Sequence, residues 1–174
     1  NRLLYQLPTG GGKTAIFSFI AKQWYKETGQ RSLIVVNRDI LLKQSIKTLR
    51  TIGMTAESVV STKNTLQHHS NSYVAMVRTL INRLKVDPEF VKEVGLMICD
   101  EAHLLLVEEV FLYFPEVKIL AFSGTPHVTK KVSFCQCTTL FPVLTWEFQY
   151  LLAFSFFFHY HLYRRIPALP AVWE

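Results

Sequence analysis

Leu7-Pro8-Thr9-Gly10-Gly11-Gly12-Lys13-Thr14 is the stretch on which the fold turns. The largely apolar stretch Arg2–Leu7 leads into it as a short strand candidate. From Lys13 onward Ile16, Phe17, Ile20, Ala21 and Trp24 recur at helical spacing until Gly29, which stands where a helix C-cap would. A glycine-rich turn between a strand and a helix, ending in Lys-Thr, is the context of a phosphate loop. Three glycines let the backbone turn tightly and aim successive N–H groups at a triphosphate. The new helix adds its N-terminal partial positive charge. Lys13 is placed to reach the β- and γ-phosphates and Thr14 to offer a hydroxyl to Mg²⁺. Pro8, Thr9 and the three glycines complete the nucleotide cradle. A turn that binds nothing is the competing reading, and the strand-to-helix context argues against it.

Outward from the loop, strands and helices alternate. Ser32–Val36 is a compact β-branched run, read as a buried parallel strand. Asp39–Ile52 is amphipathic, with Ile40, Leu41, Ser45, Leu49 and Ile52 expected on one side and Lys43, Lys47 and Arg50 elsewhere. Glu57–Ser61 is a weak strand, and 62–71 reads as loop. Tyr73–Val77 is a strand followed by a short helix through Leu84. Asp87-Pro88 is expected to open another short helix. Leu96–Cys99 and Val117–Phe122 complete the strands. This alternation predicts an α/β, three-layer fold with a mostly parallel central sheet. In such sheets ligands sit at the carboxyl ends of the strands. The polar motifs of this chain all fall at those ends.

The second chemical motif is Leu96-Met97-Ile98-Cys99-Asp100-Glu101-Ala102-His103, whose Asp100 follows Lys13 by 87 residues. An apolar strand delivering two adjacent carboxylates suits metal-assisted phosphoanhydride hydrolysis. Asp100 is expected to hold Mg²⁺ and Glu101 to orient and deprotonate the attacking water. His103 is expected to sense the γ-phosphate or a neighbouring motif. Read alone, an Asp-Glu pair is more often a solvated helix start; the apolar run before it and the phosphate loop upstream reverse that.

With both motifs in place, the chain resembles the superfamily 2 helicases and translocases, nearest the DEAH-type branch of phage, restriction-enzyme and repair proteins. The phosphate loop has Leu7 where the general motif has glycine, which matches the helicase variant built on Pro-Thr-Gly. The resemblance implies the first RecA-like, P-loop NTPase domain of a motor, with ATP and Mg²⁺ as cofactors. Leu33–Gln44 resembles a motif that grips the nucleic-acid backbone, implying phosphate contacts from Asn37, Arg38 and Gln44. Val74–Leu80 resembles a later strand-contacting motif, with Arg78, where family members often have Gln, and Thr79. Ser123-Gly124-Thr125-Pro126 resembles the motif that links hydrolysis to strand separation, with Ser123 and Thr125 bonding toward the acidic box. The implied partner is nucleic acid, DNA ahead of RNA, although no residue here separates the two. Family motors place ATP between two RecA-like domains, and a second one is expected as a partner of this chain. Alone, the chain is expected to bind Mg-nucleotide weakly and turn it over slowly or not at all. The competing classes are a nucleotide-gated nucleic-acid-binding module without turnover and a non-motor P-loop enzyme such as a small-molecule kinase.

Composition bounds the rest. With 174 residues, 49% hydrophobic and 18% charged, the chain suits one globular domain. Residues 1–127 hold 15 Lys/Arg against 11 Asp/Glu, an excess compatible with a polyanionic partner. They are read as the nucleotide-binding domain, incomplete at its N-terminus. Residues 128–174 are apolar and Phe-rich and do not resemble the family. They read as a truncated or frame-shifted segment, or as one packing on the sheet edge or a partner. The 16-residue uncharged run Phe148–Tyr163 is short for a membrane span. Cys99, Cys135 and Cys137 form no disulfide framework, and with His127 they make a poor zinc site. That cysteine usage suits a reducing compartment, cytoplasm or nucleus.

Overall fold

A computed structural model describes residues 2–7, 10–61, 66, 69–91, 93–102, 107–124 and 138–140. Seven strands form one sheet in the order β3-β4-β2-β5-β6-β1-β7. They are β1 (Arg2–Gln6), β2 (Arg31–Val36), β3 (Ala56–Val59), β4 (Ser72–Met76), β5 (Val94–Cys99), β6 (Lys118–Ser123) and β7 (Thr138–Leu140). Every neighbouring pair runs parallel. The sheet is therefore wholly parallel among the described residues, where the sequence predicted a mostly parallel one. Among the described residues the helices are α1 (Lys13–Thr28), α2 (Asp39–Thr51), α3 (Val77–Val86) and α4 (Val107–Phe111).

Strand order sets which face each helix covers. The chain steps from β1 to β2 to β3 in one direction across the sheet, then from β4 to β5 to β6 in the other. Right-handed crossovers place helices of opposite steps on opposite faces. Accordingly α1 packs along α2 over β2, β4 and β5, while α3 packs with α4. Side chains of the central strands alternate between the two layers. Leu33, Val35, Met97 and Cys99 join Leu80, Leu84 and Val110 on the α3–α4 side. On the other face the Phe17 ring lies 5.9 Å from that of Phe122. Burial on both faces explains why β2 and β5 read as continuous apolar runs.

Helix α1 has the predicted bounds, and the Gly29 N–H closes it on the Tyr25 carbonyl at 2.9 Å. At its far end Trp24, 3% exposed, rests against the backbone of Gly95. A Cβ there would lie 2.9 Å from the Trp24 ring.

Three expectations need correction. The buried stripe of α2 is Leu42, Ser45 and Leu49, whereas Ile40 is 71% exposed. The helix is rotated so that Leu42, not Ile40, meets the sheet, because α1 alongside already covers the neighbouring surface. Asp87-Pro88 opens a turn rather than a helix. The Asp87 carboxylate accepts from the Glu89 N–H at 3.0 Å and its carbonyl from the Phe90 N–H at 3.1 Å. An aspartate that bonds its own following backbone favours a turn over a helix. The weak strand forms, but one residue earlier and two shorter at its end than Glu57–Ser61. Helix α4 and strand β7 have no counterpart in the sequence reading. Of residues 128–174 only Thr138–Leu140 is described, in register with Leu3–Tyr5. The uncharged run and Cys135, Cys137 and His127 lie outside the described residues. Among those described, no helix is long and apolar enough to cross a membrane.

Candidate functional site

The phosphate loop springs from the end of β1. The Leu7 N–H donates to the Ser123 carbonyl at 3.0 Å, which ties the entrance of the loop to the end of β6. Gly10 (φ 84°) and Gly12 (φ 76°) lie in the left-handed region. A side chain there costs about 1–2 kcal/mol. A Cβ on Gly10 would meet nothing within 4 Å, so the backbone angle and not crowding calls for glycine. Gly12 caps α1 with no side-chain hydrogen bond, and the first turn holds no acidic residue. The start of this 16-residue helix thus presents N–H groups and dipole without a carboxylate of its own turn, which fits a bound phosphate. Pro8 and Thr9 lie outside the described residues. Just before the loop, burial raises the Tyr5 hydroxyl above its ordinary pKa.

The acidic box is strapped to the strands on both sides of it. The Asp100 N–H donates to the Val35 carbonyl of β2 at 3.0 Å, and the Ala102 N–H to the Phe122 carbonyl of β6 at 2.9 Å. Between them Glu101 adopts φ 52°, a left-handed conformation, and its N–H donates to Asp100 Oδ1 at 3.0 Å. That turn sends the Glu101 side chain toward the phosphate loop. Lys13 Nζ lies 2.5 Å from Glu101 Oε1. Lys13 is 9% exposed and the Glu101 side chain 23%. A lysine this buried requires a partner. Asp100, 6% exposed, and Thr14 add the oxygen donors that a hard divalent cation prefers. The donor set fits Mg-nucleotide. His103 lies outside the described residues.

Beside this half of the edge stand the residues expected to meet nucleic acid. Asn37 and Arg38 follow β2, and Arg78 and Thr79 lie in the first turn of α3 after β4. Val36 pairs with Met76 in register, so the sheet brings these two motifs together. Arg38 is exposed in extended conformation at the cap of α2, and Arg78 is exposed. Gln44 is exposed on the second turn of α2. Asn37 is half-buried, with its Oδ1 enclosed and lacking a hydrogen-bond partner. Of its carboxamide only the N–H₂ end suits a phosphate. Ser123 is 1% exposed at the end of β6, between the phosphate loop and the acidic box. Thr125 lies outside the described residues. The Lys13–Glu101 pairing was not anticipated from sequence, because 88 residues separate the two and no local pattern links them.

A parallel α/β sheet with a glycine-rich loop opening α1 and an acidic box facing that loop has the architecture of the first RecA-like domain of the superfamily 2 helicases. The chain belongs to the family described as type III restriction enzyme, res subunit, whose model matches residues 1–128. It is 38% identical over 111 residues to the yeast (Saccharomyces cerevisiae) protein named "Putative ATP-dependent helicase IRC3". That match covers 59% of this chain and 16% of the yeast protein. In fold it is similar to the Hef helicase domain of Pyrococcus furiosus (TM-score 0.62, 21% identity, 74% of this chain and 31% of that one). It is also similar to the Type ISP restriction-modification enzyme LlaGI, solved in complex with a DNA substrate mimic. There the TM-score is 0.64 at 15% identity, over 86% of this chain and 18% of that one. The chain thus spans a small part of the length of each.

Proposed function

We propose that this chain is the ATP-binding and hydrolysing half of a nucleic-acid helicase or translocase, coupling Mg-dependent NTP hydrolysis to movement along a strand. The observation that carries the reading is one sheet edge. It holds the Lys13–Glu101 pair and buried Asp100 next to Asn37, Arg38, Arg78 and Thr79. Bound Mg-ATP supplies the phosphoanhydride to be cleaved and a divalent charge that offsets its oxygens. Residues 8–14 cradle the phosphates, Lys13 binds the β- and γ-groups, and Thr14 and Asp100 hold the metal. Glu101 accepts the proton of the attacking water. Ser123, with His103 and Thr125, relays the state of the acidic box to the strand contacts. Asn37, Arg38, Gln44, Arg78 and Thr79 take the backbone. The partners are a strand of nucleic acid, DNA ahead of RNA, and a second RecA-like domain supplying arginine to the transition state. The DNA mimic bound by LlaGI supports the order of preference. Residues 1–127 are assigned as the nucleotide-binding unit, acting in cytoplasm or nucleus.

A second reading, a nucleotide-gated nucleic-acid-binding module without turnover, draws on the same pair: Glu101 held on Lys13 is not free to take a proton. The test is titration of a fluorescent ATP analogue with Mg²⁺ against the chain and its Lys13→Ala form, with and without single-stranded DNA. Saturable binding lost in the variant and enhanced by DNA supports the motor reading. Binding without multiple turnover, even with a second RecA-like domain added, selects the module. No nucleotide binding by the folded chain rejects both.

A further inference from the structure

Charge is not shared evenly between the two helical layers. On the α1–α2 layer Lys22, Lys26, Lys43, Lys47 and Arg50 are exposed, against Glu27 and Asp39. On the α3–α4 layer and its loops, the described charges include Arg78, Arg83 and Lys85 against Asp87, Glu89, Glu93, Glu109 and Glu116. One layer is basic and the other acidic, a contrast that the modest net charge conceals.

Three cations of the basic layer, Lys22, Lys43 and Arg50, have described side-chain partners. Lys22 Nζ donates to the Ile52 carbonyl at 2.7 Å, joining α1 to the end of α2, and Arg50 reaches the Ala56 carbonyl at 3.3 Å. Carbonyl partners position these charges without neutralising them. Lys43 faces the carboxylate of Asp39 at 2.6 Å. Lys43, Lys47 and Arg50 recur at i, i+4 and i+7, so they line one side of α2 over roughly 10 Å. This row begins one turn beyond Arg38, the residue that caps α2 at the carboxyl edge. Phe19 (49% exposed) and Ile40 (71%) lie in the same layer, in the early turns nearest that edge. They offer apolar surface to sugars and bases beside the cations.

We propose that the outer face of α1 and α2 is a second track for the nucleic-acid backbone, taking the strand that continues beyond the carboxyl-edge site. The inference rests on the reading of nucleic acid as partner. A strand carries a phosphate about every 3.4 Å, so the row on α2 can face several in succession. Contacts of this kind are sequence-independent and salt-sensitive. Continuity with Arg38 favours a nucleic-acid strand over an acidic protein segment.

The test uses the full chain with Lys26→Gln, Lys43→Gln and Lys47→Gln combined, and Lys85→Gln on the opposite layer as control. Fluorescence anisotropy follows labelled oligo(dT) of about 6 and about 30 nucleotides over a range of salt; the short one spans the carboxyl edge alone. The triple variant is expected to bind the long strand roughly tenfold more weakly, its log–log salt slope falling by about 2 for three lost phosphate contacts. Short-strand and Mg-nucleotide binding stay as in the parent chain, and Lys85→Gln has no effect. Equal long-strand binding by the triple variant and the parent overturns the proposal. So does polyglutamate that binds as tightly as DNA and loses that binding in the triple variant, which would assign the face to an acidic protein. A parent chain that binds Mg-nucleotide but neither oligonucleotide removes the partner reading itself.

Discussion

Lys13 Nζ stands 2.5 Å from Glu101 Oε1, joining the phosphate loop to the acidic box across 88 residues of sequence. The carboxylate neutralises the lysine that a triphosphate would otherwise claim. Any phosphate that reaches Lys13 therefore competes with Glu101, and under the function proposed above its binding would release Glu101 to act as the base.

Glu101→Gln removes that competitor while keeping the shape of the side chain. Mg-nucleotide affinity is expected to rise about fivefold, the equivalent of ~1 kcal/mol for a partly exposed pair. Turnover, measured with a partner domain present, falls by about 10²–10⁴ with loss of the base. Equilibrium titration beside a phosphate-release assay reads both, and weaker nucleotide binding in the variant would show that the pair does not compete.

Gly95→Ala tests the packing at the opposite edge of the sheet. The new methyl would stand 2.1 Å from Gln30 Oε1 and 2.9 Å from Trp24 Cζ2. Gln30 is exposed and can swing away, but the Trp24 ring is 3% exposed and cannot. Urea denaturation is expected to show a loss of about 1–3 kcal/mol with the slope unchanged. A change under about 0.5 kcal/mol would mean that the ring has room to move.

Ser32 and Ser72 share a hydrogen bond of 2.6 Å with both residues fully buried between β2 and β4. Either single alanine substitution strands a buried hydroxyl and is expected to cost about 1–3 kcal/mol. The double substitution removes donor and acceptor together and should cost less than the two singles summed. A thermodynamic cycle that proves additive would contradict this pairing.

Burial raises the hydroxyls of Tyr5 and Tyr73 above the ordinary value of 10.0. For Tyr73 burial is the largest cause, with Glu57 and Glu93 raising it further and Arg31 opposing them. Above that ordinary value the unfolded chain releases these protons while the folded chain keeps them. Stability from both groups is therefore full below pH 10.0 and is lost as pH rises toward their folded-state values. Tyr5→Phe and Tyr73→Phe are expected to flatten the alkaline limb of a stability–pH profile, read by denaturant midpoints. An unchanged limb in the double variant would locate the alkaline sensitivity elsewhere.

Local chemistry made the two motifs legible in the sequence. Glycines 10–12 before Lys13-Thr14, and the apolar run ending in Asp100-Glu101, declare their backbone needs within a few residues. The bounds of α1 were legible for the same reason, from helical spacing and Gly29. The buried face of α2 was not. Ile40 and Leu42 are equally apolar, and only the position of α1 and the sheet decides that Leu42 is covered. Helix α4 has five residues, too few for a periodicity to appear, although Val110 and Phe111 both enter the core. At Asp87 the signal was present and read the wrong way, since Asp-Pro begins helices and turns alike, and the bond to the Glu89 N–H settles which.

By itself the sequence determined the alternation of strand and helix, the largely apolar central strands and the residue types at each strand end, because these follow from backbone geometry and burial within short windows. Tertiary structure alone decided the order β3-β4-β2-β5-β6-β1-β7, and with it which strand ends are neighbours. That order sets Asn37 beside Arg78, straps Asp100 to Val35 and Ala102 to Phe122, and turns Glu101 onto Lys13. Such contacts close loops of tens of residues, whose energies depend on the packing of the whole sheet and leave no trace in local spacing.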